Sequence, residues 1–294
     1  MPGSHPSSPA LCWNEYGDPG GRPVMFFHGW PSSRLQGEAF HEQAARRGWR
    51  IIAPDRPGIG KSPAQPERRL GDWPRTLAAL MDRLGIERCP LIGMSGGGPY
   101  ALAGAAGLPE RVTAAAVICG APPLHDTADR PHLLPALRRV AKLSEFCPAV
   151  VRAGFQLVGW GTRLLDVASA RRLAQLSTHG VDQDFFYRPE SRTTIAAGLE
   201  AWRQGGLGLH EEGNLYLERW DFAPEEIRVP VAIWHGTEDT LFHWSLAEKL
   251  SRRVPGTRFF PMQGRGHFEL IYAAQEAAFD WLEGLAAASA SASS

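Results

Sequence analysis

The chain has 294 residues, long enough to bury a large core in one or two domains. Hydrophobic residues make up 44% and charged residues 21%, which excludes an intrinsically disordered chain. Thirty-one basic side chains balance thirty-one acidic ones, so no overall field draws the chain to nucleic acid or to an anionic membrane.

Residues 1–9 are rich in Ser and Pro, with neither a basic start nor an apolar core, and do not read as a signal peptide. Beyond them, short apolar runs at Leu11–Tyr16, Val24–His28, Arg50–Ala53, Pro90–Met94 and Val112–Cys119 predict strands. Helix-length patterns lie between them at Leu35–Arg47, Leu70–Leu84 and Gly97–Gly107. In the second of these, Leu70, Trp73, Leu77, Leu80, Met81 and Leu84 mark one helical face. Strand then helix, repeated, predicts an α/β fold with parallel strands and right-handed crossovers.

From about Pro122 to Pro224 the pattern becomes helical or irregular, a stretch too long for a loop. Strands resume at Val229–Trp234 and Thr257–Phe260, with helices at Leu246–Arg253 and Leu270–Leu285. The expected organisation is a core over residues 10–121 and 226–285, a helical cap over 122–225, and a flexible Ala/Ser tail over 286–294. No apolar run reaches the roughly 18 residues needed to span a bilayer. Cys12, Cys89, Cys119 and Cys147 are scattered without metal-ligand spacing, which fits a reduced, cytoplasmic chain.

Gly93-Met94-Ser95-Gly96-Gly97 is a G-x-S-x-G pattern between an apolar strand and a helix of small residues. In a chain this rich in glycine the bare pattern is weak, and a structural serine is the competing reading. The strand before it and the helix after it favour a sharp turn that lifts the Ser95 hydroxyl above a sheet. His28-Gly29-Trp30-Pro31 follows another strand, and the backbone N–H groups of Trp30 and Gly96 are the expected donors to an oxyanion.

A serine hydroxyl needs a neutral imidazole to take its proton, and the imidazole needs a carboxylate to hold its tautomer. Of ten histidines, His267 alone lies on a glycine-framed loop after the last strand. Asp239 follows the strand before it; Glu238 is its main rival and Asp126 a weaker one. His28 and His235, both at strand ends, read as structural.

With these residues placed, the chain resembles the α/β-hydrolase superfamily from its first strands through His267. His28-Gly29-Trp30-Pro31, Asp55-Arg56-Pro57-Gly58-Ile59-Gly60-Lys61-Ser62, Gly93 to Gly97, Asp239 and Gly266-His267 match its order and spacing. The resemblance implies an eight-stranded, mostly parallel sheet flanked by helices, a lid between strands six and seven, and no cofactor or metal. Epoxide hydrolases and haloalkane dehalogenases of similar shape use a carboxylate nucleophile, and Ser95 argues against both. Asp55–Ser62 lacks the glycine spacing and ending of a phosphate loop and reads as a turn bracing the oxyanion loop.

The expected activity is hydrolysis of a carboxylic ester of a small, largely apolar substrate. Trp30, Phe242, Phe268, Trp160 and Trp202, with Phe185 and Phe186, are the candidate pocket residues, against the alternative that such aromatics fill the cap's own core. Glu211-Glu212 reads as a solvated acidic turn rather than a site for a substrate ammonium, as in the related prolyl aminopeptidases. The same triad would also serve an aminopeptidase, perhydrolase, acyltransferase or carbon–carbon bond hydrolase, and a non-catalytic ligand-binding protein is the remaining class. The expected partner is a small molecule; a homodimer is left open.

Overall fold

In the computed structural model, which describes residues 10–292, the apolar runs form seven strands. They are β1 (Trp13–Gly17), β2 (Arg22–Phe27), β3 (Trp49–Pro54), β4 (Cys89–Met94), β5 (Val112–Ile118), β6 (Val231–Gly236) and β7 (Arg258–Met262). The sheet order is β1-β3-β2-β4-β5-β6-β7, with β1 antiparallel to β3 and every other pair parallel. The eighth strand implied by the resemblance is not found among the described residues. The chain instead enters the sheet at Trp13, paired directly on β3, so the cap lies between the fifth and sixth strands.

Helices cover both faces. On one side α2 (Trp73–Arg83) and α3 (Gly98–Gly107) join the helix Trp244–Ser251 of the second half in a cluster around Leu77, Tyr100, Leu102 and Leu246. On the other, α1 (His41–Arg46) packs with the C-terminal helix around Ala44, Trp49 and Phe279, the last two rings stacked at 5.8 Å. Strands buried on both faces carry no polar alternation, which is why they read as continuous apolar runs. Cys89 belongs to this core, where burial pushes its thiol up to about 12.

The interruption after β5 contains α4 (Pro135–Phe146), α5 (Pro148–Thr162), α6 (Val167–Ser177), α7 (Gly180–Phe185), α8 (Ser191–Ala201) and α9 (Leu207–Leu217). After β6 come α10 (Trp244–Ser251), α11 (Leu270–Ala273) and α12 (Gln275–Ala292). Two expectations need correction. The helix expected over Leu35–Arg47 is a 3-10 turn, Arg34–Phe40, followed by the short α1. The stretch read as a tail is helical as far as Ala292, because alanine is the strongest helix former and extends α12; residues 1–9 and 293–294 lie outside the described residues. Among the described residues, no helix is long and apolar enough to cross a membrane.

Candidate active site

Where β4 ends, Ser95 takes a φ of +49°, a conformation unfavourable for any residue but glycine. The chain then turns at once through a 3-10 segment, Ser95–Gly97, into α3. The neighbouring glycines are steric necessities. A Cβ on Gly93 would sit 2.5 Å from the Gly97 carbonyl oxygen, and one on Gly97 would sit 2.0 Å from that of Phe27. The strain is held by buried surroundings on every side and points the hydroxyl at the histidine loop.

His267 Nε2 lies 2.9 Å from Ser95 Oγ, and its Nδ1 lies 2.7 Å from Asp239 Oδ2. A carboxylate only accepts hydrogen bonds, so Nδ1 carries the proton and Nε2 presents its lone pair to the serine. Asp239 is itself firmly held: Oδ1 accepts from the N–H groups of Leu241 (2.8 Å) and Phe242 (2.9 Å). Burial opposes its charge, but His267 and His235 keep the carboxyl well below the usual carboxylate range. Burial also opposes the imidazolium of His267, and Asp239 outweighs it, raising the ring's basicity above that of a free imidazole. Glu238 and Asp126 are exposed and take no part.

His235 is more than a strand-end prop. Its Nε2 lies 3.1 Å from Asp239 Oδ2 and 3.0 Å from the Phe242 carbonyl, so it donates toward the acid. His28 fits the structural reading: it is buried, with Nδ1 2.8 Å from the Gly29 carbonyl. Burial and the nearby Arg56 hold it neutral, well below an ordinary histidine.

The Trp30 backbone nitrogen comes up beside Gly96, 3.2 Å from where a Cβ on that glycine would stand. The loop carrying Trp30 is braced from the turn after β3, as the sequence suggests. Arg56 donates to the carbonyls of His28 and Gly29, and Asp55 accepts from the N–H groups of Arg34 (2.7 Å) and Lys61 (2.8 Å). Glu212, by contrast, is no solvated turn. It is buried on α9, with Oε1 accepting from Arg56 Nε at 2.7 Å and Oε2 from Arg68 at 3.2 Å. Tyr216, one turn further on, donates to the Gly96 carbonyl and contacts Glu212.

A second cap acid holds the His267 loop. Asp182, buried on α7, accepts from the His267 N–H (2.6 Å), the Phe268 N–H (3.0 Å) and the Thr240 hydroxyl (2.9 Å). Above Ser95 the cap encloses a cavity of about 380 Å³, walled by aliphatic side chains such as Leu124, Leu137, Val151 and Leu217. Among the described residues, no Asp, Glu, Lys or Arg lines it. Trp30, Phe242 and Phe268 do line it; Trp160 and Trp202 do not. Trp160 points outward from α5, 61% exposed, and Trp202 stacks on the back of Phe155. Phe185 and Phe186 pack behind Phe268, which suits the cap-core alternative.

Comparison with known proteins matches residues 22–274 to the model of the alpha/beta hydrolase fold. The chain belongs to this family. Among its relatives within the alpha/beta hydrolases is a non-heme haloperoxidase of Rhodococcus erythropolis, 32% identical over 75% of this chain and 76% of that protein. A bifunctional esterase/perhydrolase of Acinetobacter calcoaceticus is 28% identical over 83% of this chain and 84% of its own length. Among solved structures, a thermophilic esterase from Thermogutta terrifontis superposes with a TM-score of 0.70 at 21% identity, covering 96% of each chain. At that identity the superposition bears on the hydrolase fold alone.

Asp182 and the Arg56–Glu212 pair are the site's unanticipated parts. Glu212 and Tyr216 share one helical face four residues apart, a spacing that allows their own contact but does not point to Arg56. Asp182 carried no signal, because the N–H and O–H groups that donate to it come from distant loops.

Proposed function

We propose that this hydrolase cleaves carboxylic esters with a largely apolar acyl or alcohol group, using Ser95 as nucleophile, His267 as general base and Asp239 as its orienting acid. The supporting observation is the Ser95 Oγ to His267 Nε2 to Asp239 relay, at 2.9 and 2.7 Å, beneath a cavity lined by no charged side chain.

As Ser95 Oγ attacks the ester carbonyl, its proton passes to His267 Nε2, and Asp239 stabilises the imidazolium. The carbonyl oxygen takes up the electron pair and is met by the N–H groups of Trp30 and Gly96. Collapse expels the alcohol, which takes the proton from His267. Water, deprotonated by His267, then attacks the acyl-enzyme; the acid leaves and Ser95 recovers its proton. An uncharged cavity suits a neutral substrate. Of Glu211 and Glu212, the pair considered for an ammonium, Glu212 is already committed to Arg56 and Arg68 and neither lines the cavity, so an aminopeptidase is disfavoured.

The test is labelling by a fluorophosphonate, read by intact mass, for the wild type and Ser95→Ala, followed by turnover of a panel of aliphatic and aryl esters. Labelling of the wild type alone, with ester turnover, supports the proposal; no labelling makes a non-catalytic binding protein the better reading.

The relative named as an esterase/perhydrolase favours a second reading. Hydrogen peroxide would replace water at the acyl-enzyme: its oxygen bonds to the acyl carbon, the acyl–Oγ bond breaks, and a peracid leaves as Ser95 regains its proton. Product analysis with both acceptors present separates the two.

A further inference from the structure

Helix α5 has two apolar faces, and one of them meets solvent. Val151 and Phe155 turn inward and line the cavity. On the opposite side, at helical spacing, run Val150, Leu157 and Trp160, continued by Phe146 before the helix and Leu164 after it. Leu157 is 63% exposed and Leu164 is 89% exposed. Single exposed apolar side chains are ordinary, but among the described residues all the large ones lie between Val140 and Tyr187. An apolar helix face belongs against an interior or a partner, and this one meets solvent.

The same helices are cationic. Between Pro135 and Ser177 seven Arg and Lys residues face two acids, in a chain whose total charge is zero. Neither acid neutralises them: Glu145 is paired with Arg130, and Asp166 caps α6 through the Ser169 N–H. Arg138, Arg139, Lys142, Arg152, Arg163 and Arg172 are exposed and make no salt bridge among the described residues. On α4, Arg139, Lys142, Leu143 and Phe146 share the side facing away from the buried Ala141.

We propose that the outward face of α4 and α5 docks on the surface of an anionic lipid bilayer. The apolar stripe would enter the boundary between headgroups and acyl chains, with the Arg and Lys heads at the level of the anionic headgroups. Charge selects this occupant. A twofold contact with a second copy sets the patch against itself, cation against cation. The overall neutrality of the chain is a sum over unlike regions and conceals this one. Val140, partly exposed and lining the cavity, would lie toward the lipid, so an amphiphilic ester could pass from bilayer to cavity. That consequence rests on the esterase reading; the docking itself does not.

The test is flotation of the wild-type protein with vesicles of phosphatidylcholine alone and of phosphatidylcholine mixed with phosphatidylglycerol. Flotation with the mixed vesicles only, reversed by high salt, is expected, and each Arg→Gln change on the face should weaken it about fivefold. Phe146→Glu combined with Leu157→Glu should abolish flotation while turnover of a short water-soluble ester is unchanged. The wild type remaining unbound with both vesicles overturns the proposal, as does equal flotation with both. Sedimentation velocity showing a wild-type dimer that Leu157→Glu splits into monomers would also overturn it, making a second copy the occupant. Flotation needs no turnover, so its outcome stands apart from that of the fluorophosphonate test.

Discussion

Arg56, on the turn after β3, and Glu212, on cap helix α9, form an ion pair with neither side chain exposed to solvent. Arg56 also donates to the carbonyls of His28 and Gly29, so the pair ties the cap to the loop that presents the Trp30 N–H. Replacing Glu212 by Gln keeps the shape and leaves two buried guanidinium groups without their counter-charge. Breaking such a pair costs about 3–5 kcal/mol. Chemical denaturation of Glu212→Gln should show a loss in that range, and a change below about 0.5 kcal/mol would mean that the pair contributes little.

Asp182 should act on the base through the backbone. Asp182→Ala leaves the N–H groups of His267 and Phe268 without an acceptor, and a misplaced base lowers kcat by about 10². Asp182→Asn retains a carbonyl oxygen and should recover most of the rate. Equal losses in kcat for the two variants, with unchanged stability, would rule out this positioning role.

The pH profile follows from the direction of the His267 shift. Only the neutral ring can take the Ser95 proton, and Asp239 favours the charged ring despite burial. The acidic limb of kcat/KM should therefore have its midpoint above the roughly 6.5 of a free histidine. Asp239→Asn removes the raising charge and the correct tautomer, so the limb should move down in pH while kcat falls about 10⁴. A limb unmoved by that change would separate Asp239 from His267.

The same acid contributes to stability in a defined window. Its carboxyl is held below its unfolded value of about 3.9, so the contribution is fully present above that pH and is lost as pH falls through the folded value. Acid unfolding of Asp239→Asn should show a weaker pH dependence below about pH 4. An identical dependence would count against the depressed carboxyl.

Cavity volume should set chain length. Leu137 on α4 lines the cavity, and Leu137→Trp would fill part of it. The variant should turn over long-chain esters at least about 10-fold less well while acetate esters are little affected. Unchanged preference would place the acyl chain elsewhere.

What could be read beforehand divides along a physical line. Ser95, Asp239 and His267 each sit in a short local pattern at a strand end, and strands buried on both faces advertise themselves by composition. Asp182 and Glu212 do not, because each is defined by partners far along the chain: His267 for the first, Arg56 and Arg68 for the second. Glu211-Glu212 looks like a solvated turn until the arginines opposite it are placed. Trp160 and Phe155 occupy the same helix, and only the packed structure tells which of them faces the cavity.

The two buried cap acids also constrain how anything enters. Asp182 grips the loop of His267 and Glu212 grips the turn beneath Trp30, on opposite flanks of Ser95. A cap riveted at both flanks cannot swing open as one rigid door without stranding a carboxylate and the groups it serves. A path that leaves both carboxylates in place would run through the part of the cap that neither grips, and α4 and α5, which line the cavity through Leu137 and Val151, carry neither of them.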